Sequence, residues 1–246
     1  MDMHNTKTAG IIIIGNEILS GKVRDSNSYF LARELRELGV DVKRIFVIPD
    51  EIDIIGETAL SFSNTYDYVF TSGGVGPTHD DVTMAGIAKG FGVMLSRHTE
   101  LEKLLYSRFD KTLNDAVLKM TEVPEGTEVF IREGMRYPVI FFRNIFIFAG
   151  IPDYLREKFT IIKERFRSST FHLKRLFLNG HESEFAEILE SVVLNNSEVN
   201  FGSYPILGQP EYRVVVTAES KSEQMLKKAM DELLHILPHT MLHKVE

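Results

Sequence analysis

The stretch that most limits the fold is Thr8 to Ile14, TAGIIII, a short apolar run rich in β-branched residues that stops at Gly15. A run without polar alternation reads as a strand buried on both faces, which is how strands of a parallel sheet look. Parallel strands need a crossover, and the chain supplies one. SNSYFLARELRELGV places Phe30, Leu31, Leu35 and Leu38 on one broad helical face, with Asp25 or Ser26 as cap and Gly39 as stop. The unit then recurs. VKRIFVI predicts a strand, EIDIIGETALSFSN a helix, YDYVFT a third strand and TMAGIAKGF a further helix. This alternation specifies an α/β fold, a parallel sheet covered on both faces.

Thr99 to Met120 reads as mostly helical, VPEGTEVFI as turn and strand, and YPVIFFRNIFIFAG as a hairpin closed by Arg143 and Asn144. Gly150-Ile151-Pro152 opens a helix over DYLREKFTIIKERF, with Pro152 suited to its first turn. After that the rhythm changes. HLKRLFLNG predicts a strand, SEFAEILESVVL a helix, VNFGSYPI and EYRVVVTAE two strands, and KSEQMLKKAMDELLHIL a last helix. That βαββα order describes a small α+β domain rather than further parallel winding. SSTF, residues 168 to 171, marks the boundary between an α/β domain over 1–168 and the small domain over 169–246.

Composition narrows the function. Hydrophobic residues make up 43% of the 246 and charged residues 26%, an ordinary globular balance. The net charge of -7 argues against a surface that wraps a duplex, which needs clustered Lys and Arg. An anionic ligand therefore needs local help, from backbone N–H groups or a bound metal. The absence of cysteine removes disulfides, thiolate zinc sites and cysteine nucleophiles. MDMHNTKTAG lacks the layout of a signal peptide, and the longest apolar stretch is broken by Arg143 and Asn144, so a cytoplasmic protein without a membrane span is expected.

Ligands of open α/β sheets sit beyond the carboxyl ends of the strands. Two polar loops fall there. GNEILSGKVRDSN follows the first strand and offers Glu17, Asp25 and Asn27; SGGVGPTHDDVT follows the third and offers Gly73, Gly74 and Gly76 with Thr78, His79, Asp80, Asp81 and Thr83. The glycine loop runs into a helix, so its N–H groups and the helix start form a concavity suited to phosphate oxygens. No GKS or GKT follows, and the glycine spacing is not GxGxxG, which leaves both the P-loop and the dehydrogenase reading without support. Carboxylates beside a phosphate cradle fit a divalent ion that bridges them to the phosphates. Asp81 and Asp80 are the candidate ligands, joined by Glu17 or Asp25. The plainer alternative makes Asp80, Asp81 and Thr83 caps of the helix that begins near Thr83, and Asp25 and Asn27 caps of the first long helix. Spacing leaves both readings open. His79 is a general acid or base, or an exposed loop residue with no role, and Phe141, Phe142, Phe146 and Phe148 read as core.

Taken in order, GNEILSGKVRDSN, GGVGPTHDDVT and AGIP resemble the molybdopterin-binding domain of the molybdenum cofactor biosynthesis proteins. Within that family the chain is similar to the competence/damage-inducible protein A branch and to the N-terminal domain of eukaryotic FAD synthase. About the first two thirds carry the likeness, and the trailing domain resembles the KH-like domain of that branch. The resemblance implies a three-layer α/β/α sandwich followed by a small α+β domain. It also implies a ligand-binding set of Gly15, Glu17, Asn27, Gly73, Gly74, Gly76, Pro77, Thr78, His79, Thr83, Gly150 and Pro152, with Asp81, Asp80 and Asp25 catalytic and Asp81, Asp80 and Glu17 on the metal. The implied activity is hydrolysis of FAD or ADP-ribose pyrophosphates with a divalent metal (Mg, Mn or Co) and potassium. The alternatives are a non-catalytic molybdopterin or nucleotide binding protein, and a molybdopterin adenylyltransferase. The implied partners are a small-molecule nucleotide or pterin and further copies of the chain.

His79 in GPTHDDVT is nearer the FAD synthase domain, since competence proteins often carry alanine there. Ala149 departs from the family, which usually has proline at that place. No amidohydrolase or adenylyltransferase motif follows, so neither deamidation of nicotinamide mononucleotide nor synthesis of FAD is expected of these residues. VNFGSYPILGQPEY lacks the GxxG clamp of a nucleic-acid-binding KH module, so no nucleic-acid partner is expected.

Overall fold

In the computed structural model, which describes residues 6–108, 114–132, 135 and 137–246, TAGIIII forms strand β1 (Thr8–Ile14). A one-turn helix α1 (Asn16–Leu19) and helix α2 (Asn27–Glu37) lead to β2 (Asp41–Ile48). Helix α3 (Ile52–Thr65), β3 (Tyr68–Ser72) and α4 (Thr83–Phe91) complete the second repeat of strand and helix. An excursion follows, made of β4 (Leu95–Arg97), α5 (Thr99–Arg108), α6 (Asp115–Lys119) and β5 (Glu122–Pro124). Residues 109–113 of the stretch expected to be helical lie outside the described residues. Strands β6 (Glu128–Phe130), β7 (Val139–Phe142) and β8 (Ile145–Phe148) precede α7 (Pro152–Ile162) and a 3-10 turn at Lys163–Phe166.

The main sheet has the order β2-β1-β3-β8-β7-β6. β2, β1, β3 and β8 are parallel neighbours, while β7 and β6 add antiparallel partners at one edge. The sheet is therefore mixed and parallel-dominated, and the hairpin is where its direction changes. Its alternating side chains divide between two cores. Ile11, Ile13, Phe70, Phe146 and Phe148 pack with Leu31 and Leu35 of α2 and Leu155 and Phe159 of α7. Ile12, Ile14, Val69, Ile145 and Ile147 pack with Ile55, Ala59 and Phe62 of α3 and Ile87 of α4. A strand whose odd and even residues are both buried has helices on both faces, which is the three-layer α/β/α arrangement. The small β4–β5 ladder stands apart from this sheet. It was not expected from the sequence, since strands of three residues, exposed throughout in β4 and partly buried in β5, are too short to carry a periodic signal.

The chain divides into two compact units, Met1–Ser168 and Ser169–Glu246. In the second, β9 (His172–Leu178), α8 (Glu182–Asn195), β10 (Asn200–Pro205), β11 (Val214–Ser220), α9 (Glu223–Ile236) and β12 (Leu242–Val245) follow in order. They build an antiparallel sheet, β10-β11-β9-β12. Alternate residues of β11, Val214, Val216 and Ala218, face a core completed by Phe185 and Val192 of α8 and Leu226, Met230 and Leu233 of α9. The expected βαββα order is present, and β12 extends it. Its LHKV sequence mixes charge into a short run and is held by pairing with β9 rather than by a buried face of its own.

Candidate functional site

β1 and β3 pair in parallel, so the loops after them open at the same sheet edge. Gly73 makes the sharp departure from β3. Its φ is +117°, and a Cβ there would lie 1.9 Å from the Ile14 carbonyl oxygen, so glycine alone lets the loop cross the end of β1. Gly73 N–H donates to the Phe148 carbonyl (3.1 Å), and its own carbonyl accepts from Thr83 Oγ1 (2.9 Å). Thr83 N–H donates to the Gly74 carbonyl (3.0 Å). Thr83 is thus a fully buried strut that fastens the loop to the start of α4.

This arrangement decides between the two readings of the aspartates. Val82 occupies the cap position of α4, and no side chain caps that helix. Asp80, Asp81 and Thr83 are not helix caps. Asp81 turns back into its own loop, where its Oδ2 accepts from Thr78 N–H (2.8 Å) and lies 2.6 Å from Thr78 Oγ1. Asp80 Oδ1 lies 2.5 Å from the same hydroxyl. That hydrogen bond, followed by the backbone N–H of Asp80 itself, holds the Asp80 carboxyl below its usual range. His79 points into solvent with its side chain 98% exposed and Nδ1 3.9 Å from Asp80 Oδ1, an exposed loop residue in this structure. Lys119, from α6, donates to the Thr78 carbonyl (2.8 Å) and brings a cation to the loop.

A cleft of about 340 Å³ collects most of the expected residues: Glu17, Asp25, Asn27, Gly73, Gly74, Gly76, Asp81, Gly150 and Pro152. Gly15 is buried at the end of β1, with the Glu17 carboxylate folded beside it. Asn27 does more than begin α2. Its Nδ2 donates to Ser72 Oγ (2.9 Å) and to the Gly150 carbonyl (2.7 Å), tying the starts of two loops to the helix. Its Oδ1 is buried with no hydrogen-bond partner, an acceptor left open at the cleft. Asp25 stands one residue before Ser26, the cap position of α2, and serves the first turn of that helix from there. Its Oδ1 accepts from the N–H groups of Asn27 (2.9 Å) and Ser28 (3.1 Å), and its Oδ2 contacts Ser28 Oγ.

The expected metal set of Asp81, Asp80 and Glu17 does not form one cluster. Among the described residues no three His, Asp or Glu side chains come together as a metal-ligating group. The reason is local: Asp80 and Asp81 are drawn to Thr78, whereas Glu17 belongs to the exposed turn α1. Two carboxylates that converge on one hydroxyl beside the glycine loop still fit a hard cation that takes the rest of its oxygens from ligand and water.

A second cavity of about 470 Å³ adjoins the glycine loop and is lined by Pro77, Met84, Ala85, Leu101, Leu105, Tyr137, Ile140, Tyr154 and Lys158. Gly74, Val75, Gly76, Asp81, Ala149 and Ile151 line both spaces. Lys158 is 9% exposed, and burial pushes its amine down to about 8. Sequence reasoning missed Ser72, Lys119 and Lys158. For Lys158 a signal existed: it lies three residues after Leu155 and four before Ile162, on the apolar stripe of α7.

A family model described as a probable molybdopterin binding domain matches residues 10–195. The chain belongs to that family. A model of the FAD synthase middle domain matches residues 170–246. An Archaeoglobus fulgidus protein is 36% identical over 227 residues, covering 92% of this chain and 96% of that protein. A probable FAD synthase of Caenorhabditis briggsae is 33% identical over 260 residues, which is 93% of this chain and 50% of that protein. The chain thus spans about half the length of this FAD synthase relative. Among solved structures, the protein CinA of Thermoplasma acidophilum, described as of unknown function, aligns with a TM-score of 0.60 and 28% identity over 65% of this chain and 99% of that one. The family likeness read from GNEIL, GGVGPTHDDVT and AGIP therefore holds, and so does its three-layer fold. Among the described residues no helix is long and apolar enough to cross a membrane.

Proposed function

We propose that this family member is a metal-dependent pyrophosphatase acting on FAD or ADP-ribose-type dinucleotides. The observation that carries the reading is Asp81, whose carboxylate is fixed by Thr78 at the lip shared by two adjoining cavities. A dinucleotide has two bulky halves joined by a pyrophosphate, and two cavities meeting at a glycine loop match that shape. The likeness to a probable FAD synthase supports a flavin nucleotide as ligand.

In this reading the loop N–H groups and the uncapped first turn of α4 bind pyrophosphate oxygens, and Lys119 adds positive charge. Asp81 orients a water in line with the P–O–P bridge and accepts its proton. Water oxygen bonds to phosphorus, the bridging P–O bond breaks, and the two products are nucleoside monophosphates in the case of FAD. Asp81 and Asp80 would hold a divalent ion (Mg, Mn or Co) together with phosphate oxygens, and such an ion neutralises charge at the phosphoryl group. Potassium belongs to the same proposal as a further phosphate counterion.

The test is product formation from FAD and from ADP-ribose, with metal-free protein resupplied with each divalent ion in the presence of potassium. FMN and AMP, or ribose 5-phosphate and AMP, are expected. Asp81→Asn should lower turnover by about 100-fold or more without changing the melting temperature. Absence of product with every ion, from protein that still binds nucleotide or pterin, overturns the reading in favour of a binding protein.

A further inference from the structure

We propose that the larger cavity is a ring subsite, taking the fused, pyrimidine-bearing heteroaromatic ring of the ligand, with Lys158 meeting the carbonyl and ring-nitrogen acceptors on one edge. This deepens the preceding section and rests on its reading of the glycine loop as the phosphate-binding element.

The cavity is large enough for such a group, at about 470 Å³, and it is walled by Met84, Leu101, Leu105, Ile140 and Ile147. A ribose or a phosphate has no apolar surface to offer those walls, whereas a flat fused ring fills them. Tyr137 and Tyr154 stand together at one side with ring centroids 5.5 Å apart and planes tilted by 45°. Aromatic faces of that kind accept a stacked ring in offset geometry.

Lys158 sets the orientation. It enters the cavity from α7, and among the described residues it makes no ion pair; its Nζ lies over the Tyr137 ring, 5.9 Å from the centroid. Burying an ammonium with no ion-pair partner is destabilising, and acceptor atoms of a ligand in the cavity would relieve that cost. The depressed amine pKa, about 8, is a consequence of the same burial. The nearest acidic neighbour in sequence is Glu157, and Asp81 and Glu122 are the carboxylates that line the cavity. A flavin or pterin ring presents a carbonyl oxygen with a ring-nitrogen acceptor beside it, a pair that an ammonium with three donors can serve. Adenine has no carbonyl oxygen, and the N1 and N7 acceptors on its corresponding edge flank an amino donor that an ammonium cannot serve. Lys158 is therefore the residue that distinguishes the ring-bearing half of a dinucleotide from its adenylate half.

Equilibrium binding of riboflavin, 6-hydroxymethylpterin and adenosine to the full chain tests this. All three lack phosphate and none requires a bond to break. Saturable riboflavin binding is expected, weakened tenfold or more by Lys158→Met and also by Ala85→Leu, which narrows the same cavity from α4. Pterin binding with the same dependence on Lys158, in place of riboflavin, would retain the subsite and identify a pterin as its source. Three results would overturn it: no saturable binding of either ring, equal binding by the wild type and Lys158→Met, or adenosine displacing the bound ring. Ring binding without hydrolysis of any dinucleotide would keep this subsite and remove the pyrophosphatase. Hydrolysis of FAD by Lys158→Met at unchanged KM would do the reverse.

Discussion

Lys158 also leaves a signature in stability. Its amine falls from the usual 10.5 to about 8 because burial disfavours the charged form. Below pH 8 both folded and unfolded chains hold the proton, and the folded state carries the full burden of a buried charge. Between about 8 and 10.5 only the unfolded chain keeps it, so the unfolded state binds more protons and stability rises with pH. Above 10.5 the effect is complete. A shift of that size corresponds to about 3 kcal/mol. Lys158→Met should accordingly be more stable than the wild type by about 1–3 kcal/mol at pH 7, with the gap closing toward pH 10.5 in urea melts. A constant gap across that range would mean that the amine reaches water. Asn27 gives the opposite case. Its amide joins α2 to Ser72 and Gly150 from a buried position, so Asn27→Ala should destabilise by about 1–3 kcal/mol and weaken ligand binding together. Loss of binding at unchanged stability would place the Oδ1 acceptor, rather than the clamp, as the part that matters.

At the scale of elements, α4 carries the start of the site, and its position depends on glycines. α3 and α4 touch backbone to backbone: a Cβ on Gly90 would lie 2.3 Å from the Gly56 carbonyl oxygen, and one on Gly56 would lie 2.7 Å from that of Gly86. In an open helix a Gly to Ala change stabilises by about 0.4–1 kcal/mol. Here Gly90→Ala should destabilise by about 1–3 kcal/mol, because the helices must separate, and chemical unfolding reads the sign directly. The same contrast explains what the sequence could reveal. TAGIIII announced a strand buried on both faces because both cores require it, and the loop positions of Glu17, Asn27 and Gly73 followed from the strand ends. What Asp80, Asp81 and Thr83 do could not be read from spacing. A carboxylate before a helix has the same local pattern whether it caps the helix or folds back on Thr78, and only the folded loop, with the Thr78 N–H and hydroxyl turned toward Asp80 and Asp81, distinguishes the two. β4, β5 and β12 were hidden for another reason: each is a short strand specified by its pairing partner, with no periodic face to mark it.

The whole molecule is two compact units, the first with a core on each face of its sheet and the second with a core of its own. All residues lining the two cavities fall between Ile13 and Lys158, inside the unit Met1–Ser168. The second unit has its own sheet and its own buried set, in which Leu176, Val216, Phe185, Leu226 and Leu233 interlock. A four-stranded sheet with one face covered by two helices has what independent folding requires. Among the described residues neither part needs the other to satisfy its strands, since every ladder pairs residues of the same unit. We therefore expect the division at Ser168 to be one of folding as well as of contact. Expressed separately, 1–168 and 169–246 should each unfold cooperatively in urea. The first should retain riboflavin affinity within about threefold of the full chain, because truncation outside a site that shares no lining residue leaves its contacts intact. A fragment 1–168 that unfolds without cooperativity would show that the α/β core is incomplete alone. A well-folded fragment that has lost the ring ligand would instead assign part of the binding energy to the C-terminal unit, and would make that unit a functional element of the site rather than an independent module.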